Sequence, residues 1–385
     1  MSAAIAATML VAVKSVKQNY TPSEQLLDLL NDFRLMVNDC IRIGLKENVT
    51  SLKSLSLKAY RQLSNYQVPT KYRLCAISTA AGMLKNYRKA SRKKPNIKTP
   101  YARRLMLTTC YGFKIEKEED GDGWLRLSVR PRHYEYIQLN QHTKGVLSAG
   151  QGLTVRSVCL TTSTISISYS KQTNEIEPAG LLGIDRNLDN ITVATSSGED
   201  IRFDLSKATE IKARYRNVKS HFTRNDVKVR RRIFGKYGEK QRNRVNQIIH
   251  NVSKRVVKKA KNEKLGIVME NIKGIRKLYR KGNGQGSKYR GRMNSWSYYE
   301  LQRQIEYKAK WEGIPVQYVD ARGTSSRCSI CGCKTYPNEH RLLYCPKCNI
   351  SVDRDVNAAK NILARGGLRF GPDGRPVEAM VSVKR

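Results

Sequence analysis

Long apolar runs are missing from this sequence. No stretch of the 385 residues approaches the roughly 20 consecutive apolar residues of a membrane-spanning helix, so a helical membrane protein is excluded. The apolar start Ala3–Val13 has no basic residue before it and is followed by Lys14 and Lys17, so Thr8–Lys14 reads as an early strand rather than a secretion signal. Acidic residues are scarce: 32 Asp+Glu stand against 72 Lys+Arg, a formal charge of +40. Only five histidines occur, none in a ligand-like pair, which argues against histidine-based nuclease chemistry. A disulfide framework is lacking too, because Cys40, Cys75, Cys110 and Cys159 are scattered while five cysteines crowd between Cys328 and Cys348.

What remains is a foldable and strongly cationic chain. Hydrophobic residues make up 39% of it, enough for packed cores and too many for a disordered basic tail. Such a positive excess repels itself unless a polyanion neutralises it, and nucleic acid is the usual partner because Lys and Arg displace counterions from phosphates. An acidic membrane would favour one amphipathic basic helix or a basic tail, whereas here the charge is spread along the whole chain. The expectation is a soluble cytoplasmic nucleic-acid-binding protein with no membrane partner.

Composition shifts divide the chain. Helical periodicity follows Thr21-Pro22-Ser23-Glu24, with Pro22 read as lying in the first turn, and returns over Lys71–Ala90. From Lys85 to Lys98 there are seven Lys/Arg and no acid. Lys85, Tyr87, Arg88, Arg92, Lys93 and Lys94 are candidate phosphate-gripping and stacking residues, weighed against a plain solvated helix end. Residues 104 to about 173 read as short strands in a small antiparallel barrel or sandwich, with turns at Asp120–Gly123 and Gly150–Gly152. From Leu181, three short strands give way to a basic helical region over Leu205–Lys264, read as two helices joined near Phe234-Gly235 and carrying Arg230, Arg231 and Arg232 as further nucleic-acid candidates. Strands at Leu265–Glu270 and Ile314–Asp320 then alternate with helices, which describes a mixed α/β layer fold. The Gly/Lys/Arg-rich stretch Lys281–Arg292 reads either as a mobile lid or as a connector.

In so basic a chain the informative acids are those at strand ends. Asp185 closes Leu-Leu-Gly-Ile, Glu270 closes Leu-Gly-Ile-Val-Met, and Asp355 opens the last helix. Each alone has an ordinary role open to it: an Asx turn, a lysine partner, a first-turn helix residue. Together they fit an RNase H-type sheet, whose edge brings three carboxylates to two Mg²⁺ or Mn²⁺ ions about 3.5–4 Å apart. Asp189, Asp320 and Asp353 are competitors, Asp353 as a helix cap. Cys328-x2-Cys331, thirteen residues, then Cys345-x2-Cys348 is a strong four-thiolate pattern for a structural Zn²⁺; Cys333 and His340 are spare candidates.

These motifs resemble a known family. Gly183-Ile184-Asp185, Val268-Met269-Glu270-Asn271 and Asp353-Arg354-Asp355-Val356-Asn357-Ala358-Ala359, with the paired CxxC between the last two and Thr324-Ser325 before it, resemble the three RuvC motifs and zinc insertion of TnpB (OrfB) proteins. Those are products of IS200/IS605-type transposons related to type V CRISPR effectors. The resemblance implies a multidomain α/β plus β-barrel protein: a wedge-type barrel over 1–15 and 100–178, a helical recognition insertion over 16–99, a RuvC-like nuclease over 179–321 and 350–385, and a zinc-binding insertion over 322–349. It implies an endonuclease that uses a transposon-derived guide RNA to cut double-stranded target DNA beside a short transposon-associated motif, with Asp185, Glu270 and Asp355 as the metal-binding catalytic acids. The alternative is a guide-directed DNA-binding regulator of transposition that does not cut. Asn187 departs from the family, many members having Gly at that position.

Overall fold

The computed structural model describes residues 9–94, 96–117, 123–148, 152–222, 225–370 and 376–378. Thr8 and most of the turns at Asp120–Gly123 and Gly150–Gly152 lie outside the described residues. The chain forms two compact units, one spanning Val13–Gln172 and the other holding the chain from Thr173 onward with the residues before Val13. Among the described residues no helix is long and apolar enough to cross a membrane.

The Val13–Gln172 unit combines helices with two small sheets. Strand β1 (Met9–Asn19) leads to helices α1 (Glu24–Lys46), α2 (Leu52–Ala59) and α3 (Lys71–Ser91). Ser23, not Pro22, begins α1: its hydroxyl accepts the Leu26 N–H, which puts the proline before the cap rather than in the first turn. Strands β2 (Met106–Thr109), β3 (Phe113–Lys117), β4 (Gly123–Arg130) and β5 (His133–Gln138) follow, then α4 (Gln141–Ser148), β6 (Thr154–Thr161) and β7 (Thr164–Asn174). They divide into a four-stranded sheet in the order β1-β7-β6-β2 and a three-stranded antiparallel sheet β3-β4-β5. The early strand therefore joins a sheet by pairing with a strand some 150 positions later.

The second unit is built on a five-stranded sheet. Strands β8 (Gly180–Arg186), β9 (Asn190–Thr195) and β10 (Asp200–Asp204) form an antiparallel meander. Helix α5 (Ser206–Ser220) follows, then a continuous helical stretch: α6 (Val227–Val229), a π turn at Arg230–Phe234, and α7 (Gly235–Asn262). The expected break at Phe234-Gly235 is absent. The Asp226 carboxylate caps the helix by accepting the N–H groups of Lys228 and Val229, so the joint falls before it and Gly235 sits inside the helix. Strand β11 (Leu265–Asn271) then pairs parallel with β8, and after α8 (Ser287–Met293) and α9 (Tyr298–Trp311) strand β12 (Val316–Asp320) pairs parallel with β11. The order is β10-β9-β8-β11-β12. A small antiparallel sheet of β13 (Tyr336–Pro337), β14 (Leu342–Cys345) and β15 (Ile350–Asp353) precedes α10 (Arg354–Arg365), and β16 (Leu368–Phe370) pairs with β17 (Pro376–Glu378).

Alternation along the central strands assigns the two faces. Leu182 and Ile184 of β8 and Ile267 and Met269 of β11 point into the main core with Ile249, Val256, Leu301 and Ile305 from α7 and α9. The opposite face receives α10, whose Ala359 and Leu363 pack on Ala194 and Leu181. Contact there is so close that a Cβ on Gly183 would lie 2.5 Å from the Ala359 carbonyl oxygen and 2.8 Å from Leu363. Glycine at this position sets the distance between strand and helix. Gly183→Ala should therefore lower stability by about 1–3 kcal/mol, the usual cost of overpacking, read as a drop in thermal midpoint; an unchanged midpoint would mean that α10 yields freely.

Candidate functional site

Asp185 follows Gly183 by two residues and so lies on the face of β8 that α10 covers. Glu270 follows Val268 by two on β11, and Val268 touches the end of the same helix at Gly366. The parallel register pairs Ile184 with Met269, so the next step along each strand sets Asp185 and Glu270 side by side, about 4.8 Å apart between strands. Asp355 enters from the first turn of α10. All three are buried, at 6%, 8% and 1% exposure.

Burying like charges together leaves its mark on their protonation. Burial first, then the Glu270 charge, pushes the Asp185 carboxyl up to about 7; Asp355 adds to the rise, while an Asn187 hydrogen bond and Arg354 oppose it. Glu270 is also raised by burial, against the pull of the Thr324 hydroxyl, Arg186 and Arg365. Asn187 Nδ2 donates to Asp185 Oδ2 at 2.7 Å, and Thr324 Oγ1 donates to Glu270 Oε1. Asp355 Oδ2 meets the guanidinium of Arg341, with Arg202 at 3.6 Å and Asn190 Nδ2 at 3.5 Å, while Arg354 Nε lies 3.7 Å from Oδ1. Asn187 thus makes a specific contact where the family's glycine has no side chain.

The competing acids have other partners. Asp353 caps α10, accepting the N–H groups of Asp355 at 2.9 Å and Val356 at 3.1 Å, and pairs with Arg202 at 2.8 Å. Asp189 accepts from Thr209 at 2.7 Å and Arg292 at 3.1 Å, and Asp320 accepts the Arg322 N–H at 3.1 Å. Lys85, Arg88, Arg92, Lys93 and Lys94 are exposed and Tyr87 half-buried at the end of α3, while Arg230, Arg231 and Arg232 are exposed on the π turn of the other unit.

Cys328, Cys331, Cys345 and Cys348 form the one group of three or more potential ligand residues, among the described residues, whose ligand atoms all lie within 4.8 Å of one another. Cys331 Sγ is 3.5 Å from Cys345 Sγ and Cys328 Sγ is 4.0 Å from Cys348 Sγ, close to the ~3.8 Å edge of a tetrahedron of sulfurs around Zn²⁺ at about 2.3 Å. The described cysteines are all free of disulfides. Burial raises the Cys331 thiol, but the Cys333 N–H and the neighbouring sulfurs prevail and bring it down to about 6. This cage could hold a structural metal such as zinc. Cys333 and His340 stand outside it.

Side chains other than the three acids and four cysteines tie the cage to the acids. Asn357, fully buried on α10, accepts the Ser329 N–H at 2.8 Å and donates to the Arg327 carbonyl at 2.7 Å. Asn361, one turn later, donates to the carbonyls of Thr324 at 2.8 Å and Arg327 at 2.7 Å. Thr324 in turn holds Glu270. On the far face of the sheet Arg186 is buried at 2% exposure; its guanidinium donates to the Glu270 carbonyl and to Gln302 Oε1 at 2.8 Å, and its Nε has no partner. The signal for Asn357 is an amide among alanines and leucines on a buried helix stripe. Arg186 gives none beyond its place in an apolar strand.

Two outcomes follow. The Asp185 carboxyl is raised well above its usual 3.8, so its contribution to stability is complete below about pH 4 and is lost as pH rises through 7. In chelator, Asp185→Asn should melt higher than the parent at pH 8, and the difference should vanish near pH 4; equal melting at both pH values would contradict the burial argument. Cys345→Ser, or strong chelation, should abolish stoichiometric zinc and make the segment 324–350 protease-sensitive, as measured by metal analysis and limited digestion.

The Cas12f1-like TNB domain family matches residues 298–362. A solved Cas12f1 in complex with an sgRNA and target DNA shares the fold, with a TM-score of 0.60 at 16% identity, covering 88% of this chain and 81% of that one. The CRISPR-associated endodeoxyribonuclease Cas12f1 of Sulfoacidibacillus thermotolerans is 35% identical over 116 residues, 29% of this chain and 25% of its own. A TnpB-like protein of Methanocaldococcus jannaschii is 30% identical over 268 residues, which cover 66% of this chain and 92% of that protein. With alignment over nearly the whole of that relative, the chain belongs to the TnpB family and is related to the type V effectors.

Proposed function

We propose that this protein is an RNA-guided DNA endonuclease whose cutting site is the trio Asp185, Glu270 and Asp355. The observation that carries the reading is the meeting of three buried carboxylates on one face of the sheet, two of them side by side at the ends of adjacent parallel strands. The strand order, with an antiparallel meander followed by two parallel strands, supports an RNase H-like, RuvC-type nuclease domain interrupted by a zinc module at 322–349. The two sheets of the other unit, with α1–α3 between β1 and β2, are proposed as a wedge-type domain carrying a helical recognition insertion.

The donor set suits hard divalent ions. Every donor is a carboxylate oxygen, and Asp185, raised first by burial and then by the Glu270 charge, is a carboxylate whose charged form a cation would stabilise. Asp185, Glu270 and Asp355 would hold the divalent ions, being more widely spaced than the four cysteines. When bound, a pair of Mg²⁺ or Mn²⁺ ions supplies the Lewis acidity that activates water and stabilises the leaving 3′ oxygen. The chain's own part is positional. Asn187 and Thr324 fix the carboxylates of Asp185 and Glu270, and Arg186 clamps the main chain of Glu270 from behind.

Guide RNA and target DNA are the proposed partners, following the relative named an endodeoxyribonuclease and the solved neighbour that holds an sgRNA and target DNA. Base pairing reads the sequence while the protein grips backbone and helical shape, which gives dispersed Lys and Arg their purpose. Lys85, Tyr87, Arg88, Arg92, Lys93, Lys94 and Arg230, Arg231, Arg232 are proposed contacts to that backbone. A guide-directed regulator that does not cut would bury three acids at one edge without using them.

The test is cleavage of a guide-matched plasmid in Mg²⁺. Asp185→Ala, Glu270→Ala and Asp355→Ala should each lower cutting by more than about 100-fold, since losing even an outer partner of a metal ligand costs 10–100-fold, with RNA binding retained. Cutting at the parental rate by any variant removes that residue from the site, and a parent that binds its guide-matched target without cutting would establish the regulator.

A further inference from the structure

The three-stranded sheet β3-β4-β5 buries one face and leaves the other open. Leu125, Leu127, Val129 and Ile137 line the buried side. On the open side Tyr134 and Tyr136 of β5 stand 49% and 54% exposed, two residues apart and so on the same face, about 6.8 Å apart along the strand. Across the sheet Tyr134 is opposite Ser128, Tyr136 opposite Arg126, and Gln138 opposite Trp124. The Arg126 guanidinium lies 4.7 Å from the Tyr134 ring centroid. Trp124 is half-buried, and its indole N–H is a buried donor with no partner. On the third strand Lys114 is opposite Arg126, and Glu116 is held between Arg126 at 3.2 Å and Lys114 at 3.8 Å, which leaves the patch with a net positive charge.

We propose that this face is a stacking platform for unpaired bases of the RNA the protein carries, a proposal that rests on the RNA-guided reading above. Two adjacent phenol rings, a guanidinium plane on one of them and a lysine at the edge make a surface with π-faces for bases and cations for the intervening phosphates. The two tyrosines stand about 6.8 Å apart along the strand, twice the ~3.4 Å rise of stacked nucleotides, so their spacing matches alternate bases of one stack. Arg126 and Lys114 outnumber Glu116 on this face, so its charge complements phosphate. RNA is the proposed occupant because the protein would carry it before and after DNA is met, and RNA outside the guide presents loops whose bases are free to splay onto aromatic side chains; the displaced DNA strand is the rival that the DNA probe below tests.

The experiment uses the full chain, Tyr134→Ala/Tyr136→Ala and the conservative pair Tyr134→Phe/Tyr136→Phe. Both pairs alter only the exposed face, so their thermal midpoints should match the parent. Two probes are an unstructured RNA of about 20 nucleotides and a DNA of the same sequence, titrated over a salt series and crosslinked by ultraviolet light with peptide mapping. The alanine pair should weaken RNA binding by roughly tenfold or more, with the slope against log salt unchanged because no phosphate contact is lost. The phenylalanine pair should stay within about twofold, and RNA crosslinks should map to β4 and β5. Parental affinity in the alanine pair, an equal loss in the phenylalanine pair, or crosslinks at β5 formed by the DNA and not the RNA overturns the proposal. These readouts are independent of cleavage, so a chain that crosslinks RNA at β5 yet cuts nothing keeps the platform and loses only the nuclease.

Discussion

The structure turns on buried charge held in check. Three carboxylates are brought out of water on one face of a sheet in a protein with 40 more positive than negative charges, and burial, reinforced by the charges of Glu270 and Asp355, holds Asp185 near 7. Nothing in the packing alone requires this. The remaining features of the unit can be understood as what keeps the arrangement folded: a glycine that lets α10 lie against the strand, amides and a hydroxyl that fix two of the carboxylates, arginines gathered on the third, and a buried guanidinium behind the strand end. Stability given up at a site of this kind is the usual companion of function.

Legibility in the sequence followed the rarity of each signal. Asp185, Glu270 and Asp355 could be read because acids at strand ends are uncommon in so basic a chain, and the cysteine cage because two CxxC pairs at that spacing seldom do anything but bind a metal. The mixed α/β order after Leu181 was legible from periodicity and recurs in the sheet. Arg341 and Arg202, which surround Asp355, were hidden for the opposite reason, being two among 72 basic residues. The joint between α5 and the next helix is misread from sequence because Gly235 is a strong local punctuator, while the Asp226 cap that decides the matter is a single side chain. The division of β1–β7 into two sheets depends on pairings between distant strands, which local alternation does not encode.

The two kinds of site also differ in what holds them. With a metal bound, the cysteine cage would cross-link about twenty residues that have little core of their own, with Leu343 and Cys345 among their few buried members. The acid site is held by strand register, a helix and a handful of hydrogen bonds. Thr324 belongs to both, lying four residues before the first cysteine and bonded to Glu270. Order in the metal-binding loop and the orientation of an acid are thereby one mechanical system rather than two neighbouring ones.

The stitching by Asn357 and Asn361 has a bearing on how such a protein can diverge. Every bond these two amides make to the loop ends on main-chain atoms of Thr324, Arg327 and Ser329. Main-chain atoms are the same in all residues but proline, so those bonds place almost no demand on which side chains the loop carries. The loop's path is thereby held without its side chains at Arg327 and Ser329, and the demands on side-chain identity fall on Thr324, which holds Glu270, and on Cys328 of the cage.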